Sequence, residues 1–324
     1  MIVPSVDKLA KAGEKYQFSL PEKYRKTALD ELHESEEIRD QSLAQLRDWI
    51  AKNPAIHRCR TDAVFLLRFL RTRKFNHIAA CENLERYLAM NQNFPRWFQK
   101  LDTTESWVQE MIDDWPLLPL GCDAQGRVVF LIKFSNFNVE RFKNTHQIRL
   151  MMMILATLWE EEALQVAGGI FIFEDTGLTM SHLAQWSITD IKSFINCVNH
   201  SLPLRIKEIH AVNLPRYAVT VADLCLSFAS AKLKQRVQCH RTMDDLAKVM
   251  DLALLPKEFG GTRTVKDLKQ DLRERLTKYR DLILAQDQME VDLSRYAALW
   301  KENEGSGLED GTGVVGSFRK LNVD

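Results

Sequence analysis

Residues 202–217, Leu-Pro-Leu-Arg-Ile-Lys-Glu-Ile-His-Ala-Val-Asn-Leu-Pro-Arg-Tyr, constrain the fold more than any other stretch of this chain. Leu204 and Ile206 alternate with Arg205 and Lys207, the period-2 pattern of a strand with one wet face. Over 208–212 the charge fades, as it does when a strand enters a sheet covered on both sides. Asn213 reads as a helix N-cap, and Pro215 suits a first helical turn. Tyr217, Val221, Leu224, Cys225 and Phe228 then form an apolar stripe at helical spacing. Only Thr220, Asp223, Ser227 and Ser230 bring polarity to the remaining surface. A helix so apolar is either core or a cover over something apolar. The basic residues beside it favour the cover.

The first hundred residues are helical in pattern. Leu43, Leu46, Trp49 and Ile50 mark one amphipathic helix, stopped at Asn53-Pro54. Asp62 caps a second that carries Phe65, Leu66, Phe69 and Leu70, and Asn76 caps a third with Ala80, Leu84, Tyr87 and Leu88 inward. No strand signal precedes Pro116. A turn at 123–126 then leads into the apolar run 128–132, followed by a helix predicted over 146–164, a strand over 170–173, a helix carrying Ile191, Phe194, Ile195 and Val198, and the strand from Leu204. Strands alternating with helices imply parallel pairing through right-handed crossovers. A further helix over about 265–286 is expected to pack on the outside, and the glycine-rich, acidic tail 303–316 to be loosely ordered.

The charge balance narrows the function classes. Lys+Arg and Asp+Glu are both 44, so any attraction to an anionic partner must be local. Nucleic-acid binding would call for a net basic domain with interleaved exposed aromatics, which this chain lacks. Six scattered cysteines without a Cys-x-x-Cys read as reduced thiols. Lys8, Lys11, Glu14 and Lys15 interrupt the N-terminus too often for a signal peptide. The longest apolar run, 150–156, is far below the roughly 20 residues of a membrane span, and a soluble cytoplasmic monomer is expected. The G-x-G-x-x-G at 311–316 sits in the tail with no room for a βαβ unit, so it is not a dinucleotide site. No histidine falls in a metal-ligand spacing and no nucleophile elbow is present, so neither an enzyme nor a cofactor is expected; His210 and His240 read as structural. Glu160, Glu161 and Glu162 read as the solvated end of a helix, and the Asn199-His-Ser201 sequon as incidental.

Several motifs in order carry a resemblance. The pattern Pro203-Leu-Arg-Ile-Lys-Glu-Ile-His210-x-Val-Asn213-x-Pro215, then Lys232-Leu-Lys-Gln-Arg236, then Leu255-Pro-Lys-Glu-Phe-Gly-Gly261 resembles the CRAL-TRIO lipid-binding family. The similarity is greatest to its animal branch of tocopherol transfer protein, retinaldehyde-binding protein and the clavesins. The run 65–75 is similar to the signature of the helical domain that precedes the lipid domain there, and 316–321 resembles a C-terminal segment of some arthropod members. The resemblance implies an α/β protein: a helical N-terminal domain over 1–100, then an α/β/α lipid-binding domain over 101–290 with a mostly parallel sheet and a helical lid at about 213–236, then a tail over 291–324.

The resemblance also implies a site. A hydrophobic ligand, a retinoid, tocopherol-like or other isoprenoid lipid, would sit near the methionine-rich helix 147–159, in a cavity of roughly 300–1,000 Å³. Met152, Leu155, Phe173, Leu178, Met180, Phe194, Val198, Leu204 and Ile206 are the expected lining. Tyr217, Val221, Leu224, Cys225 and Phe228 are the expected lid stripe. The positions that bind phosphoinositide headgroups in the tocopherol-transfer branch match Arg73, Arg205, Lys207, Lys232 and Arg236, all basic here. Arg68, Arg71 and Lys74 lie beside Arg73 in the same basic stretch. The chain departs from the family at Ser227, where proline is common, at Arg241, where glycine is usual, and at Glu174, where aspartate is. Leu178 and Met180 replace aromatics of the tocopherol-binding member, so tocopherol itself is not carried over. A phosphoinositide-reading trafficking adaptor with a structural phospholipid is the other function that these features fit.

Overall fold

The computed structural model describes residues 3–9 and 15–296; the tail, with its G-x-G-x-x-G and the 316–321 segment, lies outside the described residues. The first described elements are α1 (Glu22–Leu32) and α2 (Glu36–Lys52), a short strand β1 (Ile56–Arg58), then α3 (Ala63–Thr72), α4 (His77–Asn93), α5 (Pro95–Phe98) and α6 (Ser106–Asp114). The Asp62 carboxylate accepts from the Phe65 N–H and the Asn76 side chain from the Ala79 N–H. Each cap satisfies a donor that the first helical turn leaves without an intrahelical partner.

From Leu117 the chain builds one five-stranded sheet: β2 (Leu117–Cys122), β3 (Val128–Ile132), β4 (Gly169–Glu174), β5 (Ile206–Val212) and β6 (Val237–His240), adjacent in that order. β2 and β3 form an antiparallel hairpin whose turn is closed by Gly126 N–H to Asp123 O at 2.9 Å. The other pairings are parallel, with Phe130 opposite Phe171, Phe171 opposite Ile209, and Ile209 opposite Val237. Parallel neighbours require crossovers. These are α7 (Asn144–Glu160) with α8 (Ala163–Ala167), α9 (Met180–Leu183) with α10 (Ile188–Asn196), and α11 (Val219–Phe228) with α12 (Ala231–Lys234). After α13 (Met243–Ala247), α14 (Val265–Ala285) buries Leu268, Leu272, Leu276 and Ile283 in the main core. The last described strand, β7 (Glu290–Val291), pairs antiparallel with β1, a contact between distant parts of the chain that no local pattern announces.

The helical region and the sheet layer share one core. Tyr87 of α4 meets Phe65 of α3 and Trp159 of α7 edge-on, at centroid distances of 6.2 and 6.5 Å. The Trp159 indole donates to the Pro203 carbonyl at 3.1 Å, which ties α7 to the entrance of β5. Beside it, Gly168 has φ +81° and lies so close to the Arg205 carbonyl that a Cβ would sit 2.5 Å from it. Only glycine takes both that backbone and that approach without strain.

Three local expectations are corrected. The helix predicted over 146–164 breaks into α7 and α8 at Glu162, whose φ is 62°. Asn213 is not a helix cap. It is left-handed at φ 58° and donates through Nδ2 to Glu174 Oε1 at 3.1 Å, and α11 begins only after a 3₁₀ turn at Arg216–Ala218. Glu162 is buried and Glu160 nearly so, rather than solvated. Glu160 accepts from Arg60 at 2.9 Å and Arg68 at 2.5 Å, and Glu162 from Arg71 at 2.6 Å. Arg68 and Arg71 therefore point into the interior, where a buried charge is tolerable only with a partner.

Candidate functional site

An apolar cavity of about 180 Å³ lies between the sheet, α7 and α10. The sheet contributes Leu117, Ile132, Phe171, Phe173, Ile206 and Ile209; α7 contributes Gln147, Ile148, Leu150 and Met151; Trp186, Phe194, Ile195, Val198, Leu204 and Leu233 complete the far wall. The cavity is smaller than the roughly 300–1,000 Å³ of typical ligand pockets. Aromatic pairs crowd its walls: Trp186 and Phe194 meet at 5.8 Å, and Phe134 and Phe173 at 5.7 Å.

Of the expected lining, Phe173, Phe194, Val198, Leu204 and Ile206 surround this space. Met152 and Leu155 do not; both are buried in the core outside it. The face of α7 toward the cavity is 147, 148, 150 and 151, and Met152 lies about 100° around the helix from Met151. Leu155 shares the Met151 face but stands one turn farther along. Leu178 is buried and Met180 is 42 % exposed, and neither reaches the cavity, because the chain leaves the sheet at Glu174 before them. Gln147, Met151, Trp186 and Leu233 went unanticipated; a lone amide one turn before Met151 in an apolar helix was the available signal.

A second pocket, about 320 Å³, opens beside the first and is basic. Arg73, Arg205, Lys207, Lys232 and Arg236 all line it, joined by Lys74. The geometry comes from three sources. Arg73 caps the C-terminus of α3, and its guanidinium donates to the His200 carbonyl at 3.3 Å; β5 has Arg205 just before it and Lys207 within it; α12 carries Lys232 and leads to Arg236. Burial first, then the crowding of Arg236, Lys74, Arg205 and Arg73, holds the Lys232 ammonium below its usual pKa. Such crowding favours an anion. The pocket contains one already: the Glu31 carboxylate of α1, 2.8 Å from Arg205 Nη2 and 2.5 Å from Lys207 Nζ. Burial raises the Glu31 pKa, but hydrogen bonds and charge from Lys207 and Arg205 outweigh it and hold the group low. Arg205 has a further task, donating to the Val166 carbonyl, so it is part of the scaffold as well as of the pocket.

The two spaces share a wall made of Val198, Leu202, Leu204, Ile206 and Leu233. Along that wall α10 continues as a single π turn, Cys197–Ser201, pinned by Asn83 Nδ2 to the carbonyls of His200 and Ser201, each at 3.0 Å. The expected lid stripe lies outside α10 rather than on the cavity. Val221, Leu224, Cys225 and Phe228 pack with Ile191, Ile195 and Trp186 in a small cluster separate from the main core. Tyr217 is 49 % exposed, and its hydroxyl donates to the Leu178 carbonyl. At the other end, Asn199 Nδ2 donates to the Phe228 carbonyl at 3.1 Å. At the root, Glu174 pairs with Lys133 and holds Asn213 where the chain leaves β5.

His210 contacts His240 at 2.9 Å and Glu208 at 3.0 Å, in a polar ladder that also includes Arg127. Burial foremost lowers the His210 pKa. Among the described residues, no group of His, Cys, Asp and Glu side chains is arranged to hold a metal, and no helix is long and apolar enough to cross a membrane.

Residues 113–261 match the CRAL/TRIO domain. The chain is 30% identical to clavesin-1 of Pongo abelii over 250 residues, covering 76% of this chain and 70% of that protein. It is 27% identical to human clavesin-2 over 286 residues, 88% of this chain and 86% of that one. The crystal structure of Sfh5 superposes with a TM-score of 0.46 at 13% identity, covering 78% of this chain and 92% of that one. A helical region followed by a five-stranded, mostly parallel sheet with covering helices, matched over most of its length by clavesins, makes this chain a member of the CRAL/TRIO lipid-binding family.

Proposed function

We propose that the protein is an intracellular, non-enzymatic carrier that holds a small hydrophobic lipid, a retinoid or other isoprenoid, and exchanges it at phosphoinositide-containing membranes. The observation that carries this reading is the shared wall: an apolar cavity and a cationic pocket meet at Val198, Leu204 and Ile206. An anionic headgroup drawn to the second would bring the bilayer to the door of the first. The N-terminal helices 1–100 act as the support of a lipid-binding unit over 101–290. α10 is the inner door, and α11 is the outer lid that turns its stripe toward the bilayer. The shared wall also favours a second reading, in which one phosphoinositide spans both spaces and the protein serves as a trafficking adaptor. Mass spectrometry of lipids extracted from the purified protein separates the two: a neutral isoprenoid supports the carrier, a phospholipid the adaptor.

Met151→Trp fills the cavity without touching the basic pocket. Overpacking costs about 1–3 kcal/mol, so the variant is expected to fold and to lose co-purified lipid. Retention of the same lipid at the same level would remove the cavity from the reading.

Replacing Val221, Leu224 and Phe228 with serine tests the lid. Transfer of bound lipid to vesicles is expected to slow about tenfold, while affinity in solution falls less, because these side chains stand outside the cavity wall. Equal losses in both measurements would make the stripe ordinary packing.

A further inference from the structure

The apolar cavity has one polar fixture. Apart from the indole of Trp186, Gln147 is the only side chain among its lining residues that carries polar atoms. The residue is 8% exposed, and its Oε1 is fully buried with no hydrogen-bond partner. A buried amide oxygen without a donor is costly, and protein interiors rarely keep one without a reason. Its neighbours on the same face of α7, Ile148, Leu150 and Met151, offer it nothing.

We propose that Gln147 is the specificity anchor of the cavity, and that the ligand is a long apolar alcohol whose single hydroxyl donates to this amide. The inference rests on the reading of the cavity as a lipid site and adds the chemistry of the lipid's polar end. The alternatives follow from donor and acceptor counts. A hydrocarbon leaves the amide unsatisfied in either orientation. An ether or ester accepts only, so it serves the amide only when the side chain turns its Nε2 inward. A hydroxyl both donates and accepts, and so satisfies the amide either way round. A carboxylate would bring a charge into a chamber that holds no cation, since the basic side chains all line the neighbouring pocket.

The test uses the delipidated full chain and three probes of the same length and branching: geranylgeraniol, its methyl ether and the corresponding hydrocarbon. Each is titrated and the retained probe measured by mass spectrometry. The parent protein is expected to bind the alcohol about tenfold more tightly than the ether, and the hydrocarbon more weakly still. Gln147→Leu, with Gln147→Met as the volume-conserving second variant, is expected to erase that order and to gain affinity for the hydrocarbon. Thermal unfolding should show both variants at least as stable as the parent, since an orphaned acceptor has been removed. Equal binding of alcohol and ether by the parent, or an unchanged preference in both variants, overturns the anchor and leaves the carrier reading standing. Failure of the parent to retain any of the three, with no lipid co-purifying, overturns both.

Discussion

Lys207→Glu combined with Lys232→Glu is expected to lower binding to vesicles containing phosphatidylinositol bisphosphate by at least about thirtyfold, with uptake of ligand from ethanol unchanged. Each lysine or arginine near an anionic surface contributes about 1 kcal/mol, so losing two removes at least about 2 kcal/mol. These two residues are chosen because Arg205 and Arg236 also donate to backbone carbonyls, of Val166 and Ile206, and their loss would disturb the scaffold. The companion variant, Glu31→Gln, is expected to act in the opposite direction. Glu31 now offsets one of the two positive charges of Arg205 and Lys207 from within, so removing its charge should tighten vesicle binding severalfold. Both effects should shrink as salt rises from 0.1 to 1 M, where the Debye length falls from about 10 Å to about 3 Å. Sedimentation with vesicles of defined composition, beside titration with soluble inositol phosphate, separates headgroup recognition from general attraction to a charged bilayer. A double variant that sediments like the parent would reduce the basic pocket to solvated surface.

The sequence carried the layer order and the basic pocket further than it carried side-chain direction. The alternation at 204–207, the caps at Asp62 and Asn76 and the stripe at 221–228 are local patterns, and local patterns fix elements. Met152 in place of Met151 is a one-residue error of helix register, and in a helix apolar on nearly every side no polar face exists to set the register. Glu160 and Glu162 depart from the solvated helix end that their sequence suggests for a different reason. Their partners Arg68 and Arg71 stand 92 and 91 residues away in the chain, and each member taken singly looks like surface charge. Glu31 is hidden in the same way: its partners Arg205 and Lys207 lie 174 and 176 residues on. The outer placement of the apolar stripe 217–228 follows from α10, whose Ile195 stands with the neighbouring Trp186 between the stripe and the cavity, and no spacing within either helix reveals which of them is inside.

Arg71→Leu is expected to be the most destabilising single change proposed for this protein, lowering the free energy of unfolding by about 3–5 kcal/mol in urea titration. The side chain is completely buried and every donor of its guanidinium is engaged. Nε and Nη2 hold the two oxygens of Glu34, each at 2.8 Å; Nη1 reaches Glu162 at 2.6 Å and Gln165 at 3.0 Å; Nη2 also reaches the Tyr16 hydroxyl at 3.0 Å. Burial lowers the arginine's pKa, but the charges and hydrogen bonds of Glu34 and Glu162 outweigh it, so the guanidinium stays charged. Removing it leaves two carboxylates inside with too few donors. Arg39, 3.8 Å from Glu34, is too distant to replace the bidentate contact. Arg71→Lys should recover little, because an ammonium cannot hold both oxygens of Glu34 and reach Glu162 and Gln165 together. The consequence extends to the site. Glu162 and Gln165 flank the start of α8, and the Val166 carbonyl beside them is the acceptor for Arg205. Loosening α8 therefore loosens the floor of the basic pocket, and vesicle binding by Arg71→Leu should fall at temperatures where the chain is still folded. A loss below about 1 kcal/mol would mean that Glu34 and Glu162 find water or protons when the arginine leaves, and that the network is not what joins the N-terminal helices to the lipid-binding layer.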